Sequence, residues 1–594
     1  MHTLTLPLAL LLFAVIIPPP LSLSSAVSSV DPYRYRYLKP LHRQSSPQEF
    51  IELAHPLPSS DPVTPSCTLT IINHSFGNTI NKRPFTAPYS PPSYCPRPWS
   101  HVILEFHAKV KGEQYDRIAG LWLGGVELLR TSTAEPSESG IFWKVRKDIT
   151  RYSSLLVQSN LNVTMMLENI VNDVFTGVYH VNVNLLFFKD KDVTGTVPSI
   201  LSSDNFNSTL GFESDKYYYP PADLILPISN NDGEREGFWF RVESESDLNF
   251  KKIKFPRNAY RVILELYVSF HGNDEFWYLN PPNSYIEKNN LTTSRGNGFY
   301  REVLVTIDGK LVASEIPFPV IFTGGINPLF WEPVVAIGAF NLPSYDLDLT
   351  PFLGVVLDGK EHKIGIEVKD AISYWLVNAN LHIWLDSGSS EVKAGSGEYR
   401  YPNLTLHTNE AFRFLDGRLD VKARRRTGYE GWVKSSLGIL TTRVMRQFRF
   451  RGFLSFDKNG THKLVQQRIK VKRQVEVRNE RGILVTHVII NRRYPVEVKT
   501  VSSPGSEKDR YVLETDVSHF FREQCLIGKT RSTVYNSQIS GGWMEVKDHS
   551  VLSGEANTEQ SYSYRDEFGC YSHSVVASNG ELISDKPIPC ISAF

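Results

Sequence analysis

Cysteine is scarce in this chain, with five among 594 residues, and methionine is equally rare at five. No cysteine stands at metal-ligand spacing, and the 16 histidines form no HExxH or similar cluster, so no metal site is expected. An excess of charge of either sign is also missing. Lys plus Arg number 64 against 63 Asp plus Glu, a formal net charge of +1, and neither a nucleic acid nor an anionic membrane surface is an expected partner. Beyond the N-terminus no apolar run reaches transmembrane length, and no long amphipathic helical pattern occurs. The pairs Gly124-Gly125 and Gly324-Gly325 lack the helix start and Lys-Thr of a phosphate cradle. They read instead as bulges or places of close backbone approach.

What is present describes a globular, secreted protein. Apolar residues make up 41% and aromatic ones 12%, and the length calls for two to four domains. Leu4 to Ile17 is almost wholly apolar and is followed by Pro18-Pro19-Pro20 and small residues, so residues 1–26 read as a signal peptide cleaved near Ala26. Asn-X-Ser/Thr sequons at Asn73, Asn162, Asn207, Asn290, Asn403 and Asn459 fit that route as candidate glycan sites. So do the cysteines, whose positions suggest bridges Cys67–Cys95 and Cys570–Cys590 with Cys525 left over. A Cys-His nucleophilic site is the weaker reading of the same residues.

Residues 27–66 are rich in Ser and Pro and read as a propeptide or flexible arm. From Thr68 onward short alternating runs are cut by Gly, Pro, Asn and Asp, which predicts an all-β sandwich or jelly roll. An internal repeat sharpens this. Val102-Ile103-Leu104-Glu105-Phe106 recurs as Val262-Ile263-Leu264-Glu265-Leu266, with Gly112 and Gly272 following at the same distance. Asp148-Ile149-Thr150 recurs as Asp348-Leu349-Thr350, and Val178 to Val183 parallels Val377 to Ile383. Two tandem jelly-roll-like sandwiches, 67–200 and 215–386, are therefore expected. A linker at 387–399 and a third β-rich region at 400–594 follow.

In each copy a carboxylate beside bulky residues follows the glycine, Asp116 in Tyr115-Asp116-Arg117 and Glu275 in Asp274-Glu275-Phe276-Trp277. Corresponding loops of a duplicated sandwich can face one cleft, where two carboxylates perform general acid/base chemistry. The competing reading is a surface ion pair for Asp116-Arg117, worth about 0–1 kcal/mol, and a solvated loop residue at 275.

Tyr115-Asp116-Arg117-Ile118, Leu121 to Arg130 and Thr133-Ala134-Glu135-Pro136 resemble the plant peptide-N-glycosidase family known as PNGase A. So do Pro221 to Ile228, Tyr267 to Tyr278, Ile321 to Leu329 and Trp432 to Ser436, which spread the resemblance over nearly the whole mature chain. It implies an amidase that cleaves between the innermost GlcNAc and the asparagine of N-glycoproteins, with no cofactor. The compartment implied is the secretory route to the apoplast or vacuole. Bacterial PNGase F is similar more distantly, as two jelly rolls with an essential aspartate in a Trp-Asp-Arg segment. That resemblance assigns Asp116, Glu275 and Arg117 as catalytic and loosely matches Glu168 to a further interface glutamate.

Sugar-stacking candidates are Trp122, Phe276, Trp277, Tyr278 and Trp331, although Trp122, alternating within a strand, reads first as core. Proteolytic nicking in the 387–399 linker near Lys393, with self-association of nicked chains, is a further expectation. Lys422-Ala423-Arg424-Arg425-Arg426 reads as a solvated loop, and the 400–594 region as support for the sandwich pair. Besides the amidase, an inactive N-glycan-binding (lectin-like) protein and a jelly-roll glycoside hydrolase are the alternatives weighed.

Overall fold

The computed structural model describes residues 36–37, 46–57, 64–95, 97–189, 220–230, 237–400, 403–567 and 569–589. The expected signal peptide, Asn207 and Cys590 lie outside these. Strand β1 (Arg36–Tyr37) joins the C-terminal sheet. The first half then contains β2 (Gln48–Phe50), β3 (Cys67–Phe76), β4 (Phe85–Tyr89), β5 (His101–Val110), β6 (Ile118–Leu123), β7 (Val126–Ser132), β8 (Ile141–Asp148), β9 (Leu161–Leu167) and β10 (Tyr179–Phe188). They pair as a five-stranded sheet, β2-β8-β5-β10-β3, and a four-stranded sheet, β4-β9-β6-β7. The second half contains β11 (Leu224–Ile228), β12 (Phe240–Val242), β13 (Asn249–Ile253), β14 (Ala259–Phe270), β15 (Glu302–Ile307), β16 (Lys310–Glu315), β17 (Ser344–Asp348), β18 (His362–Lys369) and β19 (Trp375–Leu385). Its sheets run β11-β19-β14-β17, with β12 also on β19, and β13-β18-β15-β16.

Counting eight strands from β3, and eight from β11 without β12, both halves read first-eighth-third-sixth and second-seventh-fourth-fifth. That is the double Greek key of a jelly roll. The recurring Asp-x-Thr explains itself locally. Asp148 Oδ1 accepts from Thr150 N at 2.8 Å, and Thr150 Oγ1 accepts from Val102 N at 3.0 Å. Asp348 and Thr350 repeat both bonds at 3.0 and 3.1 Å, the second from Val262 N. Each motif thus ties a short helical turn to the matching long strand.

The C-terminal part is a 12-stranded sheet in which eleven antiparallel strands are joined by β1, parallel to β28. Its strands are β20 (Lys393–Arg400), β21 (Thr405–Arg413), β22 (Asp416–Ser435), β23 (Gly438–Asp457), β24 (His462–Asn479), β25 (Leu484–Pro504), β26 (Tyr511–Ile527), β27 (Thr530–Lys547), β28 (Ser550–Asp566), β29 (Cys570–Ser578) and β30 (Glu581–Pro587). Alternate residues along β22 to β24 are buried and exposed, so one face packs and the other meets solvent.

Three expectations need correction here. Lys422 to Arg426 is no loop. It lies within β22, where Ala423 and Arg425 are buried and the buried Arg425 holds Glu302 at 2.7 Å. The 387–399 segment is not a free linker, because Lys393 begins β20 on the edge of the large sheet. The arm is also docked over 46–57: β2 pairs with β8 in parallel, and Phe50 is buried. Cys67 and Cys95 form a disulfide, Cys570 is disulfide-bonded, and Cys525 is a half-buried free thiol. The sequon residues Asn73, Asn162, Asn290, Asn403 and Asn459 are all exposed. Among the described residues no helix is long and apolar enough to cross a membrane.

The seam between the halves is polar and dry. Glu127 and Arg130 on β7 are fully buried, and Arg130 reaches Ser269 Oγ at 3.1 Å, the Leu376 carbonyl at 2.7 Å and Asn378 Oδ1 at 2.9 Å in the second half. Lower on the seam, buried Glu265 accepts from Tyr152 OH (2.6 Å), Ser344 Oγ (2.8 Å) and Arg151 Nη1 (3.4 Å). Burial alone would raise the Glu265 carboxyl, but Arg151 and His382 hold it well below its usual range.

The docked arm supplies a further lock. Half-buried Glu52 accepts backbone N–H bonds from Gly338, Phe340 (3.0 Å) and Asn341 (2.9 Å). The same loop returns to β7, where Ser132 Oγ donates to the Ala339 carbonyl at 2.7 Å. Desolvation pushes the Glu52 carboxyl up to about 7, against the weaker opposing pull of those three bonds. A carboxyl raised in the folded state stabilises fully below about pH 4.5 and loses that contribution as pH rises through 7. Urea titrations are therefore expected to show stability falling by on the order of 2–3 kcal/mol between pH 4.5 and 8 from this residue, with Glu52→Gln flattening that slope.

Candidate active site

Asp116 ends the loop joining β5 to β6, and its neighbours fix it from both sides. The Tyr115 carbonyl accepts from Tyr179 OH at 3.0 Å. Arg117 N donates to Thr133 Oγ1 at 2.8 Å, and Thr133 N returns a bond to the Arg117 carbonyl at 2.8 Å. The Arg117 guanidinium reaches Gln114 Oε1 at 2.6 Å, and Gln114 is itself bonded to the Ile170 carbonyl at 2.8 Å. Asp116 is thereby held with only 2% of its surface exposed. An exposed ion pair is excluded by that burial.

The second half closes over this carboxylate through the turn Thr323-Gly324-Gly325-Ile326. Thr323 Oγ1 donates to the Thr133 carbonyl at 2.7 Å across the seam. Gly325 N bonds the Phe322 carbonyl at 2.9 Å, and the Gly325 carbonyl accepts from Trp331 Nε1 at 2.8 Å. Ile326 has φ 66°, a conformation that costs a β-branched residue and recurs at functional sites. A β-carbon on Gly324 would lie 2.7 Å from Asp116 Oδ1 and closer still to Glu135 Oε1. Two carboxylates therefore converge on one backbone point, which only glycine leaves open.

Glu275 sits on the equivalent loop of the second half, between the single turns Gly272–Asp274 and Trp277–Leu279, and is 2% exposed. Asp274 anchors that loop. It pairs with Arg301 at 2.7 Å and accepts from Trp375 Nε1 at 2.7 Å and Ile372 N at 3.0 Å. Phe276 packs on the far side of the glycine pair, its Cε1 at 2.9 Å from a β-carbon placed on Gly325, with the Arg295 guanidinium 5.2 Å over its ring. The Gly324-Gly325 turn thus stands between the Asp116 and Phe276 sides. From the large sheet, Lys463 Nζ bonds the Leu279 carbonyl at 3.1 Å and Gln467 Nε2 the Tyr278 carbonyl at 2.7 Å. Burial, with Arg295 nearby, brings Lys463 down to about 7.

The other assignments fare differently. Trp277 is wholly buried among Phe270, Tyr278 and Trp375. Trp122 is wholly buried beside Trp239 and Met166. Phe276 is 1% exposed. As they stand, none of the three rings offers a free face to a sugar, because the core has taken those faces. Glu168 follows β9, is half-buried, and accepts from Asn81 N at 3.2 Å; it lies at the β6–β9 end of the sheet that also carries Asp116. Among the described residues no group of three or more His, Cys, Asp or Glu could hold a metal. Glu135 is the residue that sequence reasoning passed over. It lay inside a recognised block, but nothing in its spacing showed that the Gly324 turn returns to it.

The Gly324 contacts are with the ends of two side chains, so Gly324→Ala is expected to fold, with a melting temperature within a few degrees of wild type. Displacing both carboxylates by about an ångström should lower turnover of an N-glycopeptide roughly hundredfold. Parallel thermal melts and mass-spectrometric rates check the two halves of that statement.

Residues 56–402 match the family model described as peptide N-acetyl-beta-D-glucosaminyl asparaginase amidase A. The peptide-N4-(N-acetyl-beta-glucosaminyl)asparagine amidase A of Prunus dulcis is 41% identical over 549 residues, 92% of this chain and 93% of that protein. Among solved structures, recombinant peptide:N-glycanase F is similar at 13% identity and a TM-score of 0.33, over 54% of this chain and 96% of its own. PNGF-II is similar at 13% identity and a TM-score of 0.36, over 54% and 66%. On the first two likenesses, the chain belongs to the peptide N-acetyl-β-D-glucosaminyl asparaginase amidase A family.

Proposed function

We propose that the chain is a peptide:N-glycanase. It hydrolyses the amide bond between the innermost GlcNAc and asparagine of N-glycopeptides or N-glycoproteins, releasing the N-glycan and leaving aspartate. Family membership and the Prunus dulcis relative's name support the reaction. The observation that carries its location is the convergence of Asp116 Oδ1 and Glu135 Oε1 on Gly324 at the seam.

In this mechanism water adds to the side-chain carbonyl carbon of the glycosylated asparagine, and the C–N bond then breaks. Asp116 positions that water and takes its proton, a general-base task suited to a carboxylate fixed on both sides. A second carboxyl group, Glu275 or Glu135 in its protonated form, gives a proton to the departing nitrogen, and the proton taken up by Asp116 restores it for the next turnover. Arg117 steers the electrostatics of the loop through its fork of donors. The sugar leaves as a glycosylamine, which water converts to the free glycan and ammonia. Glu168 at the same sheet end is a substrate contact in this reading. The compartment is the secretory route, ending in the apoplast or vacuole. The relatives give no support to an inactive glycan-binding protein.

Incubating the mature protein with a sequon glycopeptide should convert asparagine to aspartate, followed by mass spectrometry. Asp116→Asn should keep its melting temperature and lose about 10²–10⁴ in kcat/KM. A variant retaining more than a tenth of wild-type activity would move the essential carboxylate elsewhere.

A further inference from the structure

The basic cluster in β22 is one end of a larger array. On the outward face of the large sheet, Arg424, Arg449, Lys470, Arg493 and Arg522 stand directly opposite one another on β22 to β26 in turn. Lys422, Arg451 and Arg468 form a second row beside the first, and Arg426 and Lys472 belong to a third on the other side. All ten side chains are exposed. Among the described residues none of the ten makes a salt bridge or side-chain hydrogen bond. Of the acids on this face, Asp420 and Glu497 lie one position beyond the second row, Asp516 lies one further, and Glu430 and Glu476 lie two positions beyond the third row.

Like charges directly opposite each other destabilise a sheet, and a chain with 63 acidic residues had the means to alternate them. The array therefore opposes stability, and an anion would reverse the sign of that contribution. Strands lie about 4.8 Å apart, so the first row offers one cation per strand over about 19 Å. Seven of the ten are arginines, whose planar fork matches a carboxylate in a bidentate way.

We propose that this face docks a linear polyuronate, an acidic polysaccharide with one carboxylate per sugar ring, lying across the strands. Sheets twist by roughly 20–25° per strand, which turns successive cations away from a common plane. A flexible chain follows that path, and a flat membrane does not. Among the large apolar side chains exposed on the molecule only Tyr535 adjoins the rows, directly opposite Arg522 on β27, which is too little to insert into lipid and leaves a single ring where a sugar or a base could stack. The Cys67–Cys95 disulfide fits an oxidising compartment.

The test is binding of the full chain to immobilised polygalacturonate by interferometry. Affinity is expected to weaken at least about tenfold between roughly 0.05 and 0.3 M NaCl. The combined variant Arg424→Gln, Arg449→Gln, Lys470→Gln and Arg493→Gln should lose at least tenfold in affinity while converting glycopeptide at the wild-type rate. A control variant with Lys82, Lys252, Lys310 and Lys360 each changed to Gln should bind as wild type. Independently of any variant, soluble oligogalacturonate should compete and its methyl ester should not. The proposal is overturned if the two quadruple variants lose affinity equally or neither does, or if the methyl ester competes. Tighter binding to phosphatidylserine vesicles or duplex DNA than to polygalacturonate also overturns it.

Discussion

The arrangement of the two jelly rolls depends on one buried guanidinium. Arg130 has no solvent exposure, and its five N–H groups are answered by Glu127 twice, Ser269, the Leu376 carbonyl and Asn378. Three of those acceptors belong to the second half, so the bonds form only when the halves meet in one register. Removing a single partner from such a network leaves a charge stranded in a dry interior, at about 3–5 kcal/mol. Asn380 extends the lock by bonding both the Glu127 carbonyl and Glu265. The seam is therefore directional, unlike an apolar contact that could slide.

That rigidity matters because the candidate site spans the seam. Asp116 and Glu135 come from the first half, while Gly324, Gly325, Glu275 and Phe276 come from the second. The large C-terminal sheet completes the support from behind. Gln467 and Lys463 hold the Glu275 loop, and Thr558 Oγ1 donates to the Phe330 carbonyl beyond the glycine pair at 2.7 Å. The third region thus braces the backbone around the candidate site.

The repeat was legible in sequence because it follows local rules: alternating strands, a glycine after the long strand, and an Asp-x-Thr that caps the same turn twice. The roles of Glu127 and Arg130 were not, since all of β7 is buried and nothing in the run itself shows that its charged side chains face a second domain. The aromatics misled for a related reason. Trp277 beside an acidic loop satisfies the pattern of a sugar platform, yet packing against Phe270 and Trp375 claims its faces. Reading Gly324-Gly325 as a place of close approach anticipated the backbone but not what approaches it. Glu135 and Gly324 are 189 positions apart, and the long connection from β16 to β17 brings them together. The basic ladder likewise needed the register of five strands before a short cluster became a row.

Cleavage of a carboxamide C–N bond is the proposed reaction, and an isotope label follows that bond directly. A sequon glycopeptide digested in H₂¹⁸O should yield a peptide whose new aspartate carries one ¹⁸O in its side-chain carboxyl. A peptide released with an unlabelled asparagine, bare or still bearing one GlcNAc, would mean that a glycosidic bond had been cut and would contradict the amidase.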